Sequence, residues 1–320
     1  MSRGYASVSA LIAAVRAGEP RAVGRLITLV ENESPQLREV MRELAPDTGR
    51  AFVVGITGPP GVGKSTTTTA LVTALRVAGQ RVGVLAVDPS SPFSGGALLG
   101  DRVRMQQHAL DPEVFIRSMA TRGHLGGLSV AAAQALRVFD AAGCDVVLVE
   151  TVGVGQSEVE VASTADTTLV LLAPGMGDGI QAAKAGILEI GDVFVVNKSD
   201  RDGAQALVRD LRGMIALSRR DQSDWKPVIV STVASEARGV DDLLAAVTAH
   251  RSHAEASGAW LTTRLDRARV EVAALALVRL RTELGALPRG LSELARQVRD
   301  GALDPYAAAD RVLAELRGGS

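Results

Sequence analysis

The sequence has one cysteine in 320 residues, Cys144, so an intramolecular disulfide is excluded. Its neighbourhood, Cys144-Asp-Val-Val-Leu, is apolar and suits a core thiol better than a reactive one. Histidine is also scarce. The four residues, at 108, 124, 250 and 253, show no Cys/His spacing of a metal cluster. Neither sign of charge is in excess: 35 Lys and Arg stand against 36 Asp and Glu, for a net charge of −1. Nothing global therefore pulls the chain toward nucleic acid or a membrane surface. No apolar run is long enough to span a bilayer, and no N-terminal stretch joins basic residues to an apolar segment and a cleavage site. The expected compartment is the cytoplasm, with neither nucleic acid nor membrane as partner. Aromatic residues make up only 3%. Trp225, Trp260 and the basic patch Ser218-Arg219-Arg220 read as packing and solvated charge.

What is present is a hydrophobic content of 47%, enough for one large domain with appendages. Three amphipathic helix patterns come first: Val8, Leu11, Ile12, Val15; then Val23, Leu26, Ile27, Val30; then Leu37, Val40, Met41, Leu44. Pro20 and Pro35 punctuate them. Residues 1–48 are thus expected to form a helical N-terminal extension that packs on the main domain.

From about residue 50 strands and helices alternate. Strands are expected at 51–57, 81–87, 145–150, 167–173, 192–197 and 228–231, with helices at 65–77, 127–142, 203–218 and 239–255. Apolar strands separated by helices predict an α/β domain over residues 49–255, a mostly parallel sheet covered on both faces. Functional loops should lie at the carboxyl ends of the strands. Residues 256–320 revert to helix, broken near Gly285, Pro288 and Gly290. The segment 270–280 is apolar on more than one face and needs a partner surface, either its own domain or a second subunit.

Gly58-Pro59-Pro60-Gly61-Val62-Gly63-Lys64-Ser65 matches G-x-x-x-x-G-K-[ST], with an apolar strand before it and a helix after it. Glycines let backbone N–H groups turn toward an anion, and the helix N-terminus adds partial positive charge. Lys64 would reach the β- and γ-phosphates, and the Ser65 hydroxyl would coordinate Mg²⁺. The fold expected is that of a P-loop NTPase. Asp88 and Glu150 each close a strand and suit Mg²⁺, which takes a few carboxylates with water and phosphate oxygens. The alternative role for either is to cap the next helix. Gly153 is placed to offer its N–H to a γ-phosphate and to move when that phosphate leaves. Asp101, in Gly100-Asp101-Arg102, fits either a helix cap or a loop that orders around Mg²⁺ and nucleotide.

Asn197-Lys198-Ser199-Asp200 follows the apolar strand Val193–Val196 and has the N-K-x-D form that reads guanine. The Asp200 carboxylate can accept from guanine N1–H and the exocyclic N2–H₂, whereas adenine would leave it unpaired. The Lys198 stem would lie along the base, and Asn197 would brace the loop. Ser231, Thr232 and Val233 close another strand. They would either contact the base from the far side or form a plain strand-to-helix turn.

With these motifs in place, the sequence resembles the methylmalonyl-CoA mutase-associated GTPases, the bacterial MeaB proteins and the human methylmalonic aciduria type A protein. The matching stretches are Gly55–Thr66, Val87–Pro92, Gly95–Arg102, Glu150–Glu158 and Pro174–Gln181. The resemblance implies a cytoplasmic, homodimeric GTPase using GTP and Mg²⁺. Its partner would be an adenosylcobalamin-dependent acyl-CoA mutase, whose cofactor loading it gates and which it protects. It also implies that Asp101 is a switch I residue near Mg²⁺, that Glu150 is a switch II carboxylate, and that 175–184 is a third switch facing the partner. The C-terminal helices, 256–320, would form the dimer contact.

Hydrolysis would proceed by in-line attack of water on the γ-phosphate, with Lys64 and Mg²⁺ stabilising the developing charge. Val154, not glutamine, follows Gly153, and Gln156 is a substitute for positioning water or a packing residue. Slow intrinsic turnover is therefore expected, with the partner completing the site. Two other readings use the same loop. A kinase acting on a transport-related protein would need an acceptor site, and a nickel-delivery GTPase would need a Cys/His-rich site.

Overall fold

The computed structural model describes residues 5–89, 106–108, 110–121, 127–151, 163–175, 188–217, 225–285 and 290–318. Its strands are β1 (Phe52–Thr57), β2 (Val82–Pro89), β3 (Val114–Thr121), β4 (Val146–Thr151), β5 (Thr167–Leu172), β6 (Val193–Val196) and β7 (Val228–Ser231). They form one sheet in the order β3-β2-β4-β1-β5-β6-β7, and every neighbouring pair is parallel. β1, β4, β5 and β6 are buried at every position. That is the pattern of central parallel strands covered on both faces, and it explains their unbroken apolar sequences.

β3 is the strand that sequence patterning missed. It adds to the outer edge of β2, with Val82 paired to Val114 and Asp88 to Ala120. An edge strand needs less apolar sequence than a central one, and Arg117 and Ser118 interrupt this one.

The helices divide between the faces. α1 (Val8–Arg16), α2 (Pro20–Glu31) and α3 (Leu37–Leu44) share a core with α5 (Gly127–Ala141), built around Leu26, Val40, Phe115, Met119 and Phe139. Ser7 caps α1 by accepting from the Ala10 N–H, and Pro20 opens α2 where its missing N–H costs nothing. On the opposite face α4 (Lys64–Val77) and α7 (Val240–Ser257) bury Leu71 and Leu243 against Ile56 and Leu148. α6 (Ala204–Leu217) covers β5 and β6 through Leu207 and Leu211. Cys144 is buried in the first of these cores, and burial pushes its thiol pKa up.

Two carboxylates fix how the chain enters β1. Asp140 of α5 accepts from the backbone N–H groups of Gly49, Arg50 and Ala51. Asp166, just before β5, accepts from the Val53 N–H at 2.9 Å and pairs with Arg264 at 2.7 Å and Arg267 at 2.9 Å. Both arginines lie on α8 (Ala259–Gly285).

The chain divides into compact units at Met1–Arg267 and Ala268–Ser320. The second holds the rest of α8 with α9 (Gly290–Arg299) and α10 (Pro305–Gly318). Val270, Val272, Leu275, Leu277 and Leu280 stand exposed along α8.

His250 on α7 is 7% exposed. Its Nδ1 lies 2.7 Å from the Thr167 hydroxyl, its Nε2 lies 3.3 Å from Asp192, and the Trp225 ring meets it edge-on at 5.0 Å. Burial lowers its pKa below the ordinary histidine value, against the opposing pull of Asp192. A depressed folded pKa means that the unfolded chain binds the proton more tightly. Stability is then fully present above the unfolded value of about 6.5 and is lost as pH falls below it. Urea midpoints at about pH 7.5 and about pH 5.5 measure this slope. His250→Gln, which keeps a donor and an acceptor, is expected to flatten it; an unchanged slope would assign the loss to other groups.

Candidate functional site

β1 is the middle strand of the sheet, between β4 and β5. Its carboxyl end runs into the loop Gly58–Gly63 and then into α4. Gly63 stands at the N-cap with φ of 99°, and no side chain caps the helix. A helix N-terminus without a side-chain cap is the kind of end at which first-turn N–H groups receive an anion. A side chain at Gly63 would be strained by the left-handed backbone and would overlap the Asn197 amide. Lys64 is 7% exposed, and its ammonium donates to the Gly58 carbonyl at 2.7 Å and the Pro59 carbonyl at 3.1 Å. One positive charge is therefore held inside the loop. Pro60 and Gly61 are exposed at the loop's crest, Val62 is buried beneath it, and Thr66 is exposed on the first turn of α4.

Glu150, near the carboxyl end of β4, is 3% exposed and faces the same turn of helix. Its Oε1 accepts from the Ser65 hydroxyl at 2.6 Å, and its Oε2 accepts from the Thr68 hydroxyl at 2.8 Å. Thr68 is a site residue that sequence reasoning overlooked. It lies three positions after Ser65, hence on the same helix face, and that spacing is the signal that could have found it. The cluster offers hard oxygen donors beside the helix N-terminus, which fits a magnesium ion. Asp88 stands in β2, paired through its backbone with Ala120; its side chain, Asp101 and Gly153 lie outside the described residues. So do 95–102, all of the switch 150–158 after Thr151, all of the switch 174–184 after Gly175, Gln156 and the patch 218–220.

The second loop leaves β6 at Asn197. The Asn197 side chain is buried and works in both directions. Its Nδ2 donates to the Val62 carbonyl at 2.8 Å, while its Oδ1 accepts from the Thr232 hydroxyl and the Ala234 N–H, each at 3.1 Å. Lys198 adopts φ of 56° and donates from Nζ to the Gly61 carbonyl at 2.6 Å. The Ser199 N–H donates to the Thr232 carbonyl at 3.0 Å. Asp200 is exposed beside them.

Sequence order separates these loops by about 130 residues, yet two side chains join them directly. Of the strand-end group, Ser231 is exposed, Thr232 is buried as the brace of Asn197 and Ser199, and Val233 is buried and bridged to Arg238. The arrangement offers an anion cradle and, tied to it, an exposed carboxylate oriented by a rigid loop.

The profile of the family described as methylmalonyl Co-A mutase-associated GTPase MeaB matches residues 23–287. A GTPase-named protein of Pyrococcus abyssi is 46% identical over 98% of both chains. The methylmalonic aciduria type A homolog, mitochondrial, of Mus musculus is 34% identical, over 92% of this chain and 76% of its own. Among solved structures, that of an LAO/AO transport system kinase superposes with a TM-score of 0.72 at 28% identity, covering 99% of this chain and all of its own.

Proposed function

Since the chain belongs to the methylmalonyl-CoA mutase-associated GTPase MeaB family, we propose that its GTP hydrolysis serves an adenosylcobalamin-dependent acyl-CoA mutase, gating cofactor loading and protecting that enzyme. The chain is a P-loop GTPase. The observation that carries the nucleotide assignment is the direct tie between the phosphate loop and the Asn197–Asp200 loop. Asp200 reads guanine, Asn197 and Lys198 set its loop, and Thr232 supports them. Lys64 and the first-turn N–H groups of α4 hold the phosphates and draw off charge as water displaces GDP. Ser65 and Glu150 would hold Mg²⁺, with Asp88 and Asp101 as the further carboxylates; when bound, the ion neutralises charge on the β- and γ-phosphate oxygens.

The mutase assignment rests on the family. The exposed apolar stripe Val270–Leu280 suits a separate proposal, a homodimer contact through the C-terminal helices. The proposed compartment is the cytoplasm; no helix among the described residues is long and apolar enough to cross a membrane. Pull-down from native lysate with GDP, and with a non-hydrolysable GTP analogue, tests the partner. An acyl-CoA mutase is expected in at least one state, and its absence from both would remove this reading. Turnover of the isolated protein should be slow and should rise when the mutase is added.

Thr68 gives a sharper test of the metal site. Thr68→Val keeps the shape but removes the hydroxyl that holds Glu150 Oε2. The Mg²⁺ concentration for half-maximal hydrolysis is expected to rise about tenfold or more, as for other residues that orient a metal ligand. The KM for GTP at saturating Mg²⁺ should change little. An equal loss at every Mg²⁺ concentration would mean that Thr68 acts on stability alone.

Likeness to a solved transport system kinase favours a second reading, phosphoryl transfer to a protein. With γ-labelled GTP, label retained on protein rather than released as phosphate would support it.

A further inference from the structure

Away from the nucleotide loops, a polar cleft of about 340 Å³ opens between α2 and the edge strand β3. Arg21, Gly24, Arg25 and Thr28 line it from α2, and Arg117 and Ser118 from β3. The four α2 residues follow the spacing i, i+3, i+4, i+7 and form one stripe, opposite the face that buries Ala22, Val23, Leu26 and Val30.

Each element makes locally unfavourable choices here. Arg21 puts a cation in the first turn of a helix, where the backbone dipole disfavours it. Arg25 follows at i+4, so two like charges face each other. Gly24 sits in the helix interior, at a cost of about 1 kcal/mol relative to alanine. On β3, Arg117 falls between Phe115 and Met119, whose side chains enter the core, so a cation occupies a core-facing position. Gly24 and Arg117 are explained together. The guanidinium lies so close over the helix that any side-chain carbon at position 24 would overlap it, and its Nη2 donates to the Pro20 carbonyl at 3.2 Å. The result is that three arginines, Arg21, Arg25 and Arg117, line one concavity together with Glu31. Local rules broken in concert at one place are what a functional site is expected to show.

We propose that this cleft binds a small phosphoryl compound. Guanidinium forks match phosphate oxygens two at a time, and Arg21, Arg25 and Arg117 all line this one cleft. The volume suits a small molecule rather than a folded partner. A bound dianion relieves the Arg21–Arg25 repulsion and joins α2 to β3, so occupancy stiffens the packing of the N-terminal helices on the sheet edge.

The experiment is calorimetric titration of full-length protein whose nucleotide site is saturated with Mg²⁺ and a non-hydrolysable GTP analogue, so that the P-loop cannot take the probe. Pyrophosphate, inorganic phosphate and glycerol phosphate are the three probes. At least one is expected to bind with one equivalent and to raise the melting temperature; which one does so tells a free phosphate from a phosphate ester. The double variant R21A/R25A changes exposed residues and should fold normally. Its affinity is expected to fall about tenfold or more, with a shallower dependence on salt. R117Q should weaken binding similarly. The proposal is overturned by no binding of any probe at millimolar concentration, or by binding that R21A/R25A leaves unchanged. If R117Q lowers the melting temperature while no probe raises it in the parent protein, Arg117 is only a tether for α2, and the proposal fails.

Discussion

Replacing Asp200 with asparagine is expected to turn the site from guanine toward xanthine nucleotides. In the proposed reading the carboxylate would accept from two guanine donors, N1–H and N2–H₂. Asparagine keeps one acceptor but presents an N–H₂ where the second acceptor was, so it faces the guanine amino group donor to donor. Xanthine carries a carbonyl at that position, and the asparagine amide then pairs with both groups. For GTP one charge-assisted hydrogen bond, contributing about 1.5–3 kcal/mol, is replaced by a donor–donor clash and the other becomes neutral, so affinity should fall on the order of a hundredfold or more. The loop that positions residue 200 should survive, because Asn197, Lys198 and Ser199 make its contacts to Val62, Gly61 and Thr232. Competition of GTP and XTP against a fluorescent guanine nucleotide reads the result directly. Equal losses for both would show that the substitution had disordered the loop rather than changed its reading.

The largest expected loss of stability comes from Asp166→Ala. The Asp166 side chain is fully buried, and both partners, Arg264 and Arg267, are mostly buried themselves. Burial opposes the carboxylate's charge, but the Arg264 hydrogen bond and the two guanidinium charges outweigh it, so its pKa lies below the usual range. Alanine would strand two guanidiniums and the Val53 N–H together. Breaking a buried ion pair from one side costs about 3–5 kcal/mol, a large share of the stability of an ordinary domain. Urea denaturation should show this as a lower midpoint with an unchanged slope. A change below about 1 kcal/mol would mean that water reaches the pocket and solvates the arginines. The depressed pKa gives a second handle: the pair's contribution is present above the unfolded aspartate value of about 3.9 and is lost as pH falls through the lower folded value.

Legibility in the sequence followed how local each signal was. The six strands expected from apolar runs are all present: five lie inside the sheet, and β7, at the far edge, still keeps the apolar run Val228–Val230. β3 is the exception. It lies at the edge, and Arg117 serves the cleft beside α2 rather than the core, so its pattern was not that of a buried strand. At the site, the fixed letters of two motifs pointed to Lys64, Ser65, Asn197 and Lys198, and the structure brings them together. Thr68 was hidden in the run Thr66–Thr69, where composition does not say which hydroxyl turns inward. Asp166 was hidden for a different reason: its partners are 98 and 101 positions away, on a helix whose sequence shows only apolar surface and scattered arginines. Long-range polar pairs leave no periodic trace.

The side chains of Asn197 and Lys198 grip the carbonyls of Val62 and Gly61, and Gly63 is small because Asn197 needs its space. A nucleotide held by these loops therefore has no stepwise exit. Loosening at the base disturbs the peptide groups that face the phosphates, and loosening at the phosphates withdraws the support of the base. Release becomes a single barrier, so GDP and GTP should dwell far longer than the separate affinities of guanosine and of free phosphate suggest. How long a nucleotide stays bound before hydrolysis or exchange would then depend in part on two hydrogen bonds of the chain to itself.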